Sequence, residues 1–200
     1  MVRASTFALA LLAGLGLVFT REVRGAHADG IWLDQQPVMN WNRAGADVPT
    51  APLPMLPEEA ECVASQRPPE TDEDQQVVAA GWRLLGGYVS GWGMKVVLAT
   101  SDYSGMCQPL GYQEFVFVDA VFAGTVAPAP MGPRQDGGLD ITSSATISGP
   151  DTLGGVTFGR RLAGDSFCCT SGRNGATYTI DRSNGVPVLL VTEVYTLPSR

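Results

Sequence analysis

Histidine and lysine are almost absent from this sequence, where His27 and Lys95 are the only examples among 200 residues. Ser-His-Asp and Cys-His enzymes need an imidazole to activate their nucleophile. His27 lies in a segment, 1–28, that has the features of a cleavable leader, so the processed chain would contain no imidazole. We therefore expect neither of these hydrolase classes.

Several signatures of nucleotide and nucleophile chemistry are also missing. The chain has no Gly-x-x-x-x-Gly-Lys loop, no Gly-x-Gly-x-x-Gly fingerprint and no Gly-x-Ser-x-Gly elbow. The segment Gly91-Trp92-Gly93 is only a fragment of the dinucleotide fingerprint and indicates a turn. We expect no cofactor.

The apolar run 7–19 is too short for a membrane helix, which needs roughly 20 apolar residues. Arg3 precedes the run, and Ala26-His27-Ala28 supplies the small residues that favour cleavage. The pattern predicts a signal peptide over 1–28, and an uncleaved anchor is the weaker alternative. We therefore expect a secreted, extracytoplasmic protein that begins at Asp29.

Charge is sparse and unbalanced. The chain has 13 basic and 20 acidic residues and a formal net charge of −7. Cleavage after residue 28 removes three basic residues and one acidic residue, which leaves a net charge of about −9. An acidic surface repels phosphate backbones and anionic lipid headgroups. We therefore expect no nucleic-acid partner, and no transmembrane segment after cleavage.

Four cysteines follow the leader: Cys62, Cys107, Cys168 and Cys169. An even number in an exported chain predicts two disulfides. A bridge between the adjacent Cys168 and Cys169 would strain the peptide between them, so we expect each to pair with Cys62 or Cys107. A zinc site is the weaker alternative, because there is no Cys-x-x-Cys pair. No cysteine precedes Cys62, so a lipid anchor is not encoded.

The sequence predicts a Pro-rich extended arm over 29–61 and one folded domain over 62–200. The arm contains several prolines and no periodic apolar pattern. It also carries apolar side chains, which favour packing along the domain over a flexible tether. These are Ile31, Trp32, Leu33, Trp41, Leu53, Met55 and Leu56.

A helix is predicted over 72–85. Thr71 stands three residues before Asp74, close to a capping box, and acidic residues occupy the first turn, where the helix dipole favours negative charge. Apolar residues then recur at helical spacing until Gly86-Gly87 ends the pattern.

Apolar and β-branched segments after the helix predict antiparallel strands. They cover 95–100, 114–118, 121–126, 140–147, 156–162, 176–180 and 188–195. Asp119-Ala120 and Asn184-Gly185 mark tight turns. The predicted fold is α+β, with one N-terminal helix packed on a curved antiparallel β-sheet of about five to seven strands and stapled by disulfides.

The first predicted hairpin resembles a known family. Phe115-Val116-Phe117-Val118-Asp119, then Phe122-Ala123-Gly124-Thr125 and the prolines Pro128 and Pro130, are similar to the core signature of the LppP/LprE family of bacterial envelope proteins. The resemblance runs from Cys62 to Tyr195. It implies a lipoprotein or secreted protein of the envelope and brings no catalytic residues to this chain.

The chain departs from this family at two points. It lacks the lipobox cysteine, and it has Ala120 where a turn-favouring Gly or Asn is expected. The second departure should weaken a type I′ turn, since such a turn requires positive φ at both central residues.

Aromatic residues and glycines are concentrated between 82 and 112, a mixture typical of a ligand platform. Trp82 is expected in the core, because it lies on the apolar face of the predicted helix. The candidate ligand contacts are Trp92, Tyr88, Tyr103 and Tyr112. Stacking on the sugar rings of a cell-wall glycan and contact with an envelope protein through a sheet edge are both open.

Glu114 and Asp119 bracket an aromatic strand and are further candidate ligand contacts, with Asp102 nearby in sequence. Two carboxyls facing one groove are what a glycoside hydrolase needs. Acidic residues are common in this chain, however, and those at strand ends are usually solvated. We therefore expect a non-enzymatic binding or assembly module, with a carboxylate-based glycan hydrolase as the alternative.

Overall fold

The computed structural model describes residues 39–54, 62, 66–131, 139–143, 145–160, 162, 164–166 and 171–197. The predicted signal peptide lies outside the described residues, as do the predicted arm contacts at 31–33 and 55–56 and both Cys168 and Cys169. No helix in the described part is long and apolar enough to cross a membrane.

Helix α1 spans Asp72–Ala79. Its predicted start is confirmed, because the Thr71 hydroxyl accepts a hydrogen bond of 3.3 Å from the backbone N–H of Asp74. The predicted end at residue 85 is wrong. The chain leaves the helix at Gly81, whose φ of 93° lies in the left-handed region that ends many helices.

Ten β-strands follow the helix in the described residues. They are β1 Arg83–Leu84, β2 Val89–Gly91, β3 Met94–Tyr103, β4 Pro109–Val118, β5 Val121–Thr125, β6 Leu139–Ser143, β7 Thr146–Gly149, β8 Thr152–Arg160, β9 Gly172–Asp181 and β10 Val188–Leu197. Every predicted strand segment overlaps one or two of them, and the region predicted over 140–147 is divided between β6 and β7.

These strands form two antiparallel sheets. The first has the order β1-β3-β4-β5, and β2 also pairs with β3; the second has the order β10-β9-β8-β6, and β7 also pairs with β8. The predicted hairpins β4–β5 and β9–β10 are confirmed. The prediction of one curved sheet is wrong, because the second half of the chain builds a sheet of its own.

Strand β4 shows how the layers are arranged. Val116 and Val118 face the core between the two sheets, whereas Phe115 and Phe117 face α1. All four side chains are at most 1% exposed, so β4 is covered on both faces. A continuous apolar run is typical of such a strand. The protein therefore has three layers, in the order helix, first sheet and second sheet.

The smaller core lies between α1 and the first sheet. Trp82 is buried there, as predicted, and its ring packs edge-on against Phe115 with the centroids 5.0 Å apart. The indole N–H of Trp82 donates a hydrogen bond of 2.7 Å to the carbonyl of Pro49 in the arm. The helix, the sheet and the arm are thus joined at one side chain.

The described part of the arm, 39–54, ties the edges of both sheets together. The Asn42 carboxamide accepts a hydrogen bond from Thr125 N–H at 2.9 Å and donates to the carbonyls of Thr125 and Leu189 at 2.9 and 3.1 Å. Asn40 accepts from the N–H of Val191 at 2.6 Å. Thr125 belongs to β5 and the other two partners to β10, each an edge strand of its sheet.

Two arm residues predicted to lie along the domain behave differently. The Trp41 indole N–H donates to the Thr125 carbonyl at 3.0 Å, and its ring meets Tyr178 edge-on. Leu53 is 90% exposed, so the prediction that it packs on the domain is wrong. Residue 53 is in a Pro-x-Pro segment whose neighbours are also exposed, which gives its side chain no surface to cover.

The turn between β4 and β5 consists of Asp119 and Ala120, as predicted. Their φ angles are 48° and 65°, so both have the positive φ that a type I′ turn requires. The chain therefore adopts this geometry with Ala120 in place of the expected Gly or Asn. The turn is held from outside, since the N–H of Asp119 donates a hydrogen bond of 2.8 Å to the carbonyl of Gly93.

Cys62 and Cys107 form a disulfide, with their Cα atoms 4.8 Å apart. The predicted pairing of each with Cys168 or Cys169 is therefore wrong. Spacing along the chain could not reveal that the segment before α1 returns to the turn between β3 and β4.

Candidate functional site

Trp92 is the most exposed of the predicted aromatic contacts. It lies in the turn between β2 and β3 with a φ of 53°, and 69% of its surface is accessible. A bulky residue with positive φ is uncommon and strained. The following residue, Gly93, also has positive φ, 74°.

Gly93 is packed against the neighbouring turn. A Cβ at position 93 would lie 2.6 Å from a carboxylate oxygen of Asp119, so no larger residue fits without a shift. Together with the hydrogen bond between Asp119 N–H and Gly93 carbonyl, this contact fixes the Trp92 turn beside the β4–β5 turn.

Arg182, in the turn between β9 and β10, joins the two sheets at the same end of the molecule. Its guanidinium donates to Asp119 at 3.2 Å and to Asp151 at 2.8 Å. The hydrogen bond to Asp151 raises the pKa of Arg182, against a smaller effect of burial. Exposed ion pairs of this kind add little stability, so their main effect is to orient the charged groups.

We call Trp92, Asp119, Asp151 and Arg182 the turn-end surface. It combines an exposed indole face with two carboxylates and a guanidinium whose positions are set by mutual hydrogen bonds. Such a combination can stack on an apolar ring face and hydrogen-bond to hydroxyl groups around it. The residues come from turns of both sheets, so the surface exists only in the folded sandwich.

Tyr88 is half-exposed, at 38%, and lies just before β2. The ammonium of Lys95 lies 4.9 Å from the centre of its ring and the guanidinium of Arg67 lies 5.6 Å from it. Lys95 is held by Glu73 at 2.6 Å. These cation–π contacts occupy the tyrosine ring, so Tyr88 contributes less open aromatic surface than Trp92.

Tyr103 and Tyr112 are not part of an exposed platform. Tyr103 is 6% exposed, and Tyr112 is half-buried against the core between the sheets. Tyr112 is also bridged to Met131 through two backbone hydrogen bonds of 2.7 Å. The prediction that four aromatic side chains share one surface is therefore wrong for these two.

The Tyr103 hydroxyl is buried and has no hydrogen-bond partner among the described residues. We expect Tyr103→Phe to raise the free energy of unfolding by about 1 kcal/mol, because an unsatisfied buried hydroxyl carries a desolvation penalty. Tyr178→Phe is the matched control. It removes a hydrogen bond of 2.7 Å to the Val126 carbonyl and should lower stability by about 1 kcal/mol.

Urea unfolding monitored by tryptophan fluorescence gives both values. Equal destabilisation by the two substitutions would show that the Tyr103 hydroxyl has a partner after all. Tyr178 is a suitable control because it is also deeply buried. Its burial, together with the charge of Glu114, raises the pKa of its hydroxyl well above the ordinary value.

The two predicted carboxylates do not face one groove. Glu114 lies in the interior at 1% exposure, where it accepts a hydrogen bond of 3.2 Å from the N–H of Ala145. Asp119 is exposed at the turn and pairs with Arg182. Asp102 is buried, and its carboxylate accepts from the N–H of Tyr103 at 2.8 Å. The two are separated because Glu114 lies within the buried part of β4, whereas Asp119 lies in the exposed turn that follows the strand.

Within the described ranges, no group of three or more His, Cys, Asp or Glu side chains is placed to hold a metal ion. Comparisons of the chain with protein-family models, curated proteins and solved structures find no match. The similarity to the LppP/LprE family thus stays a prediction from the hairpin residues.

Sequence reasoning missed Arg182 and Asp151. The turn that contains Arg182 was located correctly, but its meeting with Asp119 depends on the packing of one sheet on the other. It also missed a cleft at Trp41, which has no local signal because β5, its other wall, lies more than eighty residues away in the chain.

Proposed function

We propose that this chain is an exported, non-enzymatic binding module that uses the turn-end surface to hold a glycan of the cell envelope. The observation that carries the proposal is the exposure of Trp92, 69%, at a strained backbone position braced by a neighbouring turn. Because the backbone of the Trp92 turn is already fixed, binding does not have to order it. Membership of the LppP/LprE family and an extracytoplasmic location belong to the same proposal.

A sugar is preferred to a polyanion for two reasons. The flat indole face suits the apolar face of a pyranose ring, and Asp119, Asp151 and Arg182 can hydrogen-bond to hydroxyl groups at its rim. The net charge of −7 disfavours nucleic acid and other polyanions. Contact with an envelope protein through the same surface is the alternative partner.

The test is retention of the processed protein on insoluble cell-wall glycan. Trp92→Ala should weaken retention about tenfold or more, as expected for loss of a central aromatic anchor. Trp92→Phe keeps an aromatic face and should retain part of the binding. Met106→Ala is the matched control, since Met106 is also 69% exposed but lies in the β3–β4 turn at the opposite end of the sheet.

Equal retention of the wild type and Trp92→Ala would overturn the proposed surface. The proposal that the module is not an enzyme has its own test, which measures the reducing ends released from the same glycan. Release by the wild type that disappears in Glu114→Gln or Asp119→Asn, with folding intact, would favour the hydrolase instead. Mass spectrometry of the exported product should give an N-terminus at Asp29.

A further inference from the structure

A second concave site lies between the arm and β5, and none of its lining residues belongs to the turn-end surface. The cleft has a volume of about 230 Å³. Trp41 and Phe122 supply aromatic surface, and Arg43 and Asp47 also line it. We call it the arm cleft.

The aromatic side of the arm cleft is rigid. Trp41 donates its indole N–H to the Thr125 carbonyl at 3.0 Å, and Phe122 is 8% exposed and packed in the core below α1. The neighbouring Asn42 is fixed by its hydrogen bonds to both edge strands. An apolar ligand group would therefore meet a preformed surface, which lowers the entropic cost of binding.

The two charged side chains that line the arm cleft are free to bind a ligand. Arg43 and Asp47 are both exposed, and neither makes an ion pair or a side-chain hydrogen bond within the part of the chain that the structure describes. Arg67 and Arg182, by contrast, are both engaged by carboxylates. Two unpaired charges of opposite sign thus line one small cleft.

We propose that the arm cleft binds a small zwitterion, an α-amino acid with an apolar side chain. Its carboxylate pairs with Arg43, its ammonium with Asp47, and its side chain packs on Trp41 and Phe122. A simple anion would be attracted by Arg43 but repelled by Asp47. A simple cation would be attracted by Asp47 but repelled by Arg43. Only a ligand with both charges satisfies the two together.

The volume of the arm cleft supports a ligand of this size. Sites for drug-sized molecules have volumes of about 300 to 1,000 Å³. At about 230 Å³ the arm cleft suits a smaller molecule. Binding here does not depend on Trp92, so the proposal can fail or hold independently of the proposed glycan site.

The experiment is an NMR titration of the processed protein with valine, leucine and phenylalanine, followed at the Trp41 indole N–H. At least one should bind with a dissociation constant of about 1 mM, typical of a small ligand with few contacts. N-acetyl-leucine lacks the ammonium and leucinamide lacks the carboxylate. Each should bind about tenfold more weakly than leucine, because one of the two charge pairs is lost.

Two protein variants complete the test. Asp47→Asn should bind leucine and N-acetyl-leucine equally, and Arg43→Gln should bind leucine and leucinamide equally. Arg182→Gln is the control and should leave the affinities for leucine, N-acetyl-leucine and leucinamide unchanged. The proposal is overturned if none of the three amino acids shifts the Trp41 signal at about 10 mM, if the capped derivatives bind as well as leucine, or if the Arg43 and Asp47 variants bind like wild type.

Discussion

Replacing both Cys62 and Cys107 by alanine is expected to lower the free energy of unfolding by about 4 kcal/mol. The bridge closes a loop across a sequence separation of 45 residues. Loop-closure entropy for a loop of that length amounts to about 4 kcal/mol in the chain-entropy account of disulfide stabilisation. Cys62 is also 1% exposed, so its side chain is part of the packed interior.

Urea unfolding in oxidising buffer measures this difference between the wild type and the double variant. The same two proteins in reducing buffer are the control, since reduction opens the wild-type loop as well and should remove most of the difference. Peptide mapping of the oxidised wild type should recover Cys62 linked to Cys107. A difference below about 1 kcal/mol, or a peptide linking Cys62 to Cys168 or Cys169, would contradict the observed pairing.

Replacing Asp74 by asparagine is expected to cost about 3 kcal/mol. Asp74 is fully buried at the start of α1, and both of its carboxylate oxygens lie 2.6 Å from nitrogens of the Arg67 guanidinium. The backbone N–H of Glu70 donates a third hydrogen bond at 3.0 Å. Removal of one partner from a buried ion pair leaves the other charge uncompensated, at a cost of about 3 to 5 kcal/mol.

Asp72→Asn is the matched control for this substitution. It makes the same chemical change in the same helical turn, but Asp72 is exposed, and its loss should cost no more than about 1 kcal/mol. Thermal and urea unfolding of both variants measure the two values. Similar losses of unfolding free energy in the two variants would show that the negative charge in the first helical turn stabilises the fold and that the ion pair with Arg67 does not.

The effect of Asp74 should depend on pH. Burial by itself would raise the pKa of Asp74, but the hydrogen bonds from Arg67 and Glu70 and the charge of Arg67 outweigh burial and hold the pKa below its ordinary value of 3.8. A carboxyl whose pKa is lower in the folded than in the unfolded chain stabilises the fold above its ordinary pKa. That stability is lost as the pH falls through the folded-state pKa.

The difference in unfolding free energy between the wild type and Asp74→Asn should therefore be constant near neutral pH. It should shrink below about pH 4. A difference that stays unchanged on acidification would mean that the pKa of Asp74 is the same in the folded and the unfolded chain.

Local sequence signals predicted the parts of the fold that depend on neighbouring residues. Thr71 and the acidic residues after it marked the start of α1, and Asp119-Ala120 and Asn184-Gly185 marked two hairpins that are present. The end of α1 was misjudged, because Trp82 fits a helical pattern equally well when it follows the helix as a buried turn residue.

Long-range features could not be read in the same way. The apolar run along β4 does not reveal whether each of its faces meets a helix or another sheet. The carboxylates illustrate the consequence for the site: Glu114 and Asp119 are close in sequence, but one lies in the core and the other at a turn. Trp92 was identifiable because flanking glycines indicate an exposed turn, whereas Tyr103 and Tyr112 carry no such signal.

The hydrogen bonds of Asn40 and Asn42 to β10 span 151 and 147 residues of sequence. The arm is synthesised before the strands, yet its partners lie on β10, the last of the described strands along the chain. Until β10 has been synthesised, the edge of β5 presents unpaired peptide groups that can recruit another chain. Proteolytic loss of the arm would uncover the edges of both β5 and β10 in the folded chain and make them a template for self-association.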